Sequence, residues 1–438
     1  MPDKKTLKKL ENVNWVHASL VDINGRMRSM ILPSSRFRDE EIWRNGIGID
    51  GSSIDGFLRV ENSDITAVPI EKSLRRLPWS GEFDSAALVF LRTESADGGP
   101  YPTDPRNIAK KVEKKVESMG FDAIKMRIEM EFFALENRSD IFLEPQGETE
   151  YMLPASEDSS FEFRDELSTY LTEMEFPIRY QHHENGWRQQ EIEFGFMDGI
   201  EEVSDAAVVE KFASRFVAEI HGLSVTYMPK PFETQAGSGM HNHMYLEREG
   251  KNAFWDAEDR HHLSQTARYF LGGVLEHITA LAVITNPIVN SYKRLHSGME
   301  APKFVAWGFG NRSALARVPG GKGSSTDIEV RNTDAAANPY LAFSGIVLAG
   351  LDGIKKKIEP GEPSTENLSR LNSSELKERG IKELPENLLD AIEVADTDPL
   401  VKELLGEAYD GYMERKRKEW ESFMDAVTEW EKERYFDV

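Results

Sequence analysis

The 438-residue chain carries a formal charge of −23 at pH 7, with 29% charged and 39% hydrophobic residues and no cysteine. That length exceeds what a single growing core holds; the acidity argues against nucleic acid or an anionic membrane as partner, and the missing cysteines exclude disulfides and zinc–thiolate sites. The lysine-rich first ten residues lack an apolar signal stretch and no later segment reaches about 18 consecutive apolar residues, so a cytoplasmic protein that does not cross a membrane is expected.

In chain order, apolar–polar alternation predicts strands over residues 15–22 and 86–91, in a small N-terminal domain. Gly46-Ile47-Gly48-Ile49-Asp50-Gly51 fits the dinucleotide pattern, but it follows helix-like residues 38–44 and runs into Ser52-Ser53 without a helix behind, which rules out a Rossmann turn. Residues 93–107 hold Gly98, Gly99, Pro100, Pro102 and Pro105 in a polar stretch. They read as a connection dividing residues 1–104 from 105–438. Asp104 can cap a helix with Pro105 in its first turn and Gly120 as its stop. Long helices are predicted over residues 261–284, ahead of Pro287, and over 339–358. The charged C-terminal part closes with a helix over 414–435 that carries Trp420, Phe423, Val427 and Trp430 near helical spacing.

Four apolar runs each place two polar side chains at alternate positions: Ile128-Glu129-Met130-Glu131-Phe132, Gln190-Glu191-Ile192-Glu193-Phe194, Met240-His241-Asn242-His243-Met244 and Ile328-Glu329-Val330-Arg331. Alternate residues of a strand share a face. Four such strands predict a sheet curved around a polar, cation-binding cavity, because Glu129 and Glu131 side by side repel unless a cation lies between them. Oxygen ligands with one imidazole suit Mg²⁺ or Mn²⁺ rather than zinc.

Asp50-Gly51-Ser52-Ser53-Ile54, His182-His183-Glu184, Gly237-Ser238-Gly239-Met240-His241-Asn242-His243, Asn290-Ser291-Tyr292-Lys293-Arg294-Leu295, Asn311-Arg312-Ser313-Ala314-Leu315 and Asp334-Ala335-Ala336-Ala337-Asn338-Pro339-Tyr340 follow one another in an order that resembles the type I glutamine synthetase family over nearly the full chain. The resemblance implies an α+β protein: a small N-terminal β-grasp-like domain and a large α/β catalytic domain with a curved antiparallel active-site sheet. It implies ATP-dependent ligation of glutamate and ammonia through γ-glutamyl phosphate, in homododecamers of two stacked hexameric rings with each site between neighbours. By the same resemblance, Glu131, Glu184 and Glu191 hold one metal and Glu129, His241 and Glu329 the other. Arg294 grips the α-carboxylate of glutamate, with Gly237 and Glu131 on the substrate side. Arg312 and Arg317 neutralise the transferring phosphate, Arg331 reaches the acyl phosphate, and His243 and Phe196 belong to the nucleotide side. Asp50 from a neighbouring subunit, with Ser53, Tyr151 and Glu184, binds ammonium, and Glu300 lies on a flap over glutamate.

The rims depart from that pattern. Ala236 stands for an Asn before Gly-Ser-Gly, Arg188-Gln189-Gln190 where a Gly-Gln pair leads to the metal Glu, Tyr245 for a Ser, Asp327 for a phosphate-contacting Arg with Lys322 close by, and Ile70 for an Asp. Trp187 and Arg188 are expected to add bulk beside the amine end. The alternatives to ammonia ligation are a γ-glutamyl ligase for a small organic amine and a weakly catalytic nitrogen-status sensor. Arg59 resembles an arginine tied to glutamine feedback in one subgroup, whereas Asn367-Leu368-Ser369 lacks the tyrosine that another subgroup adenylylates.

Overall fold

A computed structural model of the chain describes residues 2–56, 63–80, 85–142, 145, 150–296, 301–321 and 323–438. Arg59, Glu300 and Lys322 lie outside the described residues. The strands are β1 (Trp15–Val21), β2 (Met27–Pro33), β3 (Ile47–Asp50), β4 (Asp64–Pro69), β5 (Arg75–Arg76), β6 (Ala86–Glu94), β7 (Ala123–Leu135), β8 (Ile178–His183), β9 (Gln189–Phe194), β10 (Met197–Asp198), β11 (Ser224–Thr226), β12 (Met240–Arg248), β13 (Lys251–Asn252), β14 (Phe304–Phe309), β15 (Ala314–Val318), β16 (Ile328–Val330) and β17 (Lys382–Glu383).

The first six form a small sheet in the order β2-β1-β6-β4-β3, with β5 on β6. Its central strand β6 is buried on both sides, so residues 86–91 carry a continuous apolar run in place of the expected alternation. Ala87, Val89 and Leu91 pack with Val16, Ala18, Leu20 and Phe37, whereas Leu88 and Phe90 enter the core of the large domain beside Ile108 and Val112. The Gly- and Pro-rich connection is folded back rather than extended: Asp104 is buried, accepts from Thr93 Oγ1 at 2.8 Å, and caps the helix Pro105–Ser118 through the amide of Arg106 at 2.9 Å.

The remaining strands form one sheet in the order β17-β14-β15-β16-β12-β7-β9-β8, with β10 and β11 on β7 and β13 on β12. All four predicted strands are present, in β7, β9, β12 and β16. On one face Ile128, Met130, Phe132, Ile192, Phe194, Met240, Met244, Ile328 and Val330 are fully buried, each contributing about 1.5–3 kcal/mol by leaving water. That face rests on the helices Gly199–Ile220, Gln265–Thr285 and Pro339–Lys356. The last two touch backbone to backbone: a Cβ on Gly273 would stand 2.1 Å from the carbonyl of Ala349, so only glycine fits. Gln265–Thr285 is long and apolar enough to cross a membrane, yet 72% of its most apolar window is buried inside the protein against Pro339–Lys356.

Two helix boundaries differ from expectation. Residues 261–264 are outside the helix because Ser264 caps it, accepting from the Ala267 amide at 3.1 Å. The C-terminal helix is two, Tyr409–Asp425 and Glu429–Tyr435: Ala426 is extended, and Thr428 and Glu431 close a reciprocal capping box that starts a second helix.

Candidate active site

The other face of the large sheet is polar. Register places Glu129 of β7 opposite His241 of β12 and Glu193 of β9, and Glu131 opposite Glu191, which in turn faces His182 of β8. On the far side His243 faces Glu329 of β16, and Glu329 faces Arg317 of β15. Antiparallel pairing thus carries residues up to 200 positions apart onto one surface, above a cavity of about 360 Å³. Its lining includes Glu129, Glu131, Glu184, Glu191, His241, Tyr151, Gly237, Arg294, Arg312, Arg317 and Arg331.

Among the described residues, two groups bring their ligand atoms within 4.8 Å of one another: Glu129, His241 and Glu329, as the resemblance implied, and His182, Glu184 and Glu191. In the second, His182 stands where Glu131 was expected. Glu131 lies between the groups: its Oε2 accepts from the Gly239 amide at 2.8 Å and from Gln189 Nε2 at 3.2 Å, while its Oε1 is 3.6 Å from His241 Nε2. His182 was missed, although its alternation with Glu184 in His182-His183-Glu184 puts both on one face; His183 points the other way, its Nδ1 on the Glu184 carbonyl at 2.7 Å.

The electrostatics fit a cation. Burial, then the carboxylates of Glu129, Glu131, Glu184 and Glu329, push the Glu191 carboxyl well above the usual range. Burial lowers His182, keeping the ring neutral, and its Nδ1 is buried with no hydrogen-bond partner among the described residues. Crowded carboxylates and a neutral imidazole, its Nε2 3.7 Å from Glu191 Oε1, match the donors that Mg²⁺ or Mn²⁺ accepts. Burial opposes the charge of Glu129, yet His243 and His241 hold its carboxyl well below the usual range.

His243 is fully buried and outside the cavity, beneath Glu129, with Nε2 2.8 Å from Glu129 Oε1. Burial would lower it, but Glu129, Asp327 and Glu329 raise it to about 9. Against that, Arg127 Nη2 stands 2.8 Å from its Nδ1, a contact that only an unprotonated Nδ1 accepts. The donor geometry favours the tautomer protonated on Nε2. Arg127, absent from the sequence-derived set, bonds Glu193, lies 3.4 Å from Asp327 and 3.5 Å from Glu129, and covers the ring of Phe196 at 5.4 Å. Arg179 also bonds Glu193, so a chain of polar contacts runs from buried Asp327 through His243, Arg127 and Glu193 out to the exposed Arg179. Asp327, which stands where the resemblance has a phosphate-contacting Arg, is committed inside this chain. Phe196 stands edge-on to Tyr245 at 5.0 Å.

Arg294 is anchored by Nη1 on the Asn332 carbonyl at 2.7 Å and by Nη2 on the Arg331 carbonyl at 3.1 Å. Gly237 leaves it room: a Cβ there would lie 2.6 Å from the Pro229 carbonyl and 2.7 Å from Arg294 Cγ. Arg317 and Arg331 both donate to Glu329, and Arg331 also to the Arg312 carbonyl. Tyr151 and Tyr180 flank His182, with ring centroids 5.3 and 5.9 Å away. Asp50 and Ser53 do not line this cavity; Asp50 accepts from Ser52 Oγ at 2.6 Å and Ser53 Oγ at 2.7 Å on the small sheet. The expectation for Trp187 and Arg188 fails: neither lines the cavity. Arg188 adopts φ +57°, bonds Glu136 and covers Trp187, which packs against Phe232.

Residues 12–92 match the family described as glutamine synthetase, β-grasp domain, and residues 102–435 that described as glutamine synthetase, catalytic domain. The chain is 40% identical over 436 residues to a glutamine synthetase of Pyrococcus abyssi, with 97% of each chain covered. It is 39% identical over 440 residues to one of Thermotoga maritima, covering 98% of this chain and 99% of that one. Among solved structures, a GmaS/ADP complex superposes with a TM-score of 0.90 at 28% identity over 100% of both chains, and GmaS without ligand with a TM-score of 0.87.

Proposed function

Since this chain belongs to the glutamine synthetase family and is a ligase of that type, we propose that it makes glutamine from glutamate, ammonia and ATP through γ-glutamyl phosphate. The buried carboxylate–imidazole floor facing four arginines is the observation that carries this reading. A carboxylate oxygen is a poor leaving group, so the γ-carboxylate of glutamate first takes the terminal phosphoryl group of ATP. The amine nitrogen then attacks the acyl carbon, phosphate departs with the C–O electron pair, and the nitrogen gives up a proton. Mg²⁺ or Mn²⁺ held by Glu129, His241 and Glu329 and by Glu131, His182, Glu184 and Glu191 would neutralise phosphate oxygens and align donor with acceptor.

The chain's own groups do the remainder. Arg294, pinned on two carbonyls, offers its guanidinium to the α-carboxylate, and Glu131 and Gly237 shape that end. Arg312, Arg317 and Arg331 face the phosphoryl group. Phe196 and Tyr245 form the nucleotide end, with His243 fixing Glu129 from below. Tyr151 and Glu184 supply a negative pocket for ammonium, completed by Asp50 and Ser53 of a neighbouring subunit in a double hexameric ring, and Glu300 closes over glutamate. The protein works in the cytoplasm. A second reading, a γ-glutamyl ligase for a small organic amine, draws on Tyr180, an aromatic wall of the cavity, and on the likeness to GmaS.

Hydroxylamine tests the intermediate: γ-glutamyl hydroxamate should form only when ATP and glutamate are both present. No hydroxamate from a protein that still binds glutamate would overturn the reading in favour of a sensor. A higher kcat/KM for a small alkylamine than for ammonium would establish the second reading instead.

A further inference from the structure

A second, larger cavity shares no lining residue with this site. It occupies about 1230 Å³ between the β1–β2 turn of the small domain, the helix Gly199–Ile220 and the helix Tyr409–Asp425. Six cations but three carboxylates line it, in a chain whose overall charge is −23. The carboxylates leave most of those cations uncompensated. Asp55 is taken by Arg28 at 3.7 Å, Glu419 by Lys416 at 3.6 Å and the Val289 amide at 3.1 Å, and Glu219 pairs with none of the six within 4.0 Å. Among the described residues, Arg26, Lys211, Arg215 and Arg415 have no carboxylate within ion-pairing distance.

Three of the four bond main chain instead. Arg215 donates to the Lys211 carbonyl at 3.2 Å, Arg415 to the Gly411 carbonyl at 3.0 Å, and Lys211 to the Ala335 carbonyl. Lys211 and Arg215, one helical turn apart, share a face, and Arg415 approaches from the other helix. Burial, with Arg215 adding to it, lowers the Lys211 ammonium to about 8, which still leaves it mostly charged at neutral pH. Lys211 and Arg415 are half-buried and Arg215 and Arg26 exposed at the mouth, and positive groups gathered in a cleft concentrate anions there.

We infer that this cleft is an anion site, distinct from the ligase centre, that takes a small phosphorylated or polycarboxylate ligand between Lys211, Arg215 and Arg415, with Arg26 closing from the small domain. Guanidinium and ammonium donors suit phosphate and carboxylate alike. Because its walls belong to both domains, a ligand there would tie the β1–β2 turn to the C-terminal helices. This inference does not depend on the reaction proposed above.

The test uses the full-length assembled protein in EDTA, so that binding of phosphate through divalent cations is absent, with inorganic phosphate and citrate as probes in calorimetric titrations. Saturable binding that weakens with added salt is expected for at least one probe, and which probe binds separates phosphoryl from carboxylate chemistry. Arg215→Met combined with Arg415→Met should weaken it at least about tenfold, the loss of a charge-assisted bond. Arg26→Met, exposed and remote from the core, should weaken it as well, with wild-type circular dichroism and ligase activity. Absence of saturable binding, or binding indifferent to all three substitutions, overturns the inference. So does a change in assembly size in the variants without any anion binding in the wild type, which would mark the cleft as a seat for another copy of the chain.

Discussion

Glu191→Gln separates a cation ligand from a structural carboxylate. Without a cation, burial and the carboxylates of Glu129, Glu131, Glu184 and Glu329 hold Glu191 well above its ordinary range, so the fold favours the protonated form. A group raised in this way contributes stability that is complete below the unfolded-state value, about 4.3 for Glu, and is lost as pH climbs through the higher value in the fold. In EDTA the wild type should therefore lose stability as pH rises above about 4.3 towards Glu191's raised value. Glutamine keeps the shape, carries no charge and should flatten that slope; at pH above neutrality the cation-free variant should unfold at the same temperature as the wild type or higher. With Mg²⁺ the order should reverse. A cation at a hundred times its dissociation constant stabilises by about 2.7 kcal/mol. At about 2 °C per kcal/mol for a chain this long, that raises the wild-type Tm by about 5 °C, and the variant should lose most of the gain. Differential scanning fluorimetry at fixed protein concentration, with EDTA or saturating MgCl₂, reads both effects. A variant several degrees less stable in EDTA that keeps the full Mg²⁺ shift would refute the reasoning and make Glu191 a packing residue.

Gly237→Ala should push Arg294 off its two carbonyl anchors and raise the KM for glutamate about 10- to 150-fold, the loss of a charge-assisted pair of about 1.5–3 kcal/mol, with the KM for ATP nearly unchanged. An unaltered glutamate KM would remove Arg294 from the substrate site. Asp50→Ala and Glu329→Ala should each be nearly inactive alone, while co-expression should restore roughly a quarter of wild-type activity, because a head-to-tail interface joins different patches of two chains. Mixed assemblies as inactive as their parents would place Asp50 in service of its own chain.

The alternating pairs made the site's centre legible: a period of two fixes which residues share a face, and Glu129, Glu131, Glu191, His241 and Glu329 follow from it. Pairing order was not legible, because register is settled by contacts between residues far apart in the chain. Arg127 shows the limit. It precedes Glu129 by the same alternation, but its role depends on Asp327 lying across two strands, which no local pattern reveals. Arg188 shows another: its left-handed backbone turns the side chain towards Glu136, so bulk adjacent in sequence to the metal Glu is not bulk in the cavity. Glycine and capping signals located the helix Pro105–Ser118, while the break at Ala426 was hidden because the apolar spacing runs on at near-helical intervals through it.

The chain of contacts from Asp327 to Arg179 also constrains engineering. An arginine placed at position 327 alone would set a second cation against Arg127 where both are buried, and removing Arg127 alone would leave buried Asp327 without its cation, each a loss of about 3–5 kcal/mol. Positions 127 and 327, on different strands, are thus epistatic: neither state is reachable from the other through a fit single mutant. A chimera that imports one of these strands from a relative inherits half of a bargain, and recombination between such lineages should succeed only where both strands cross over together.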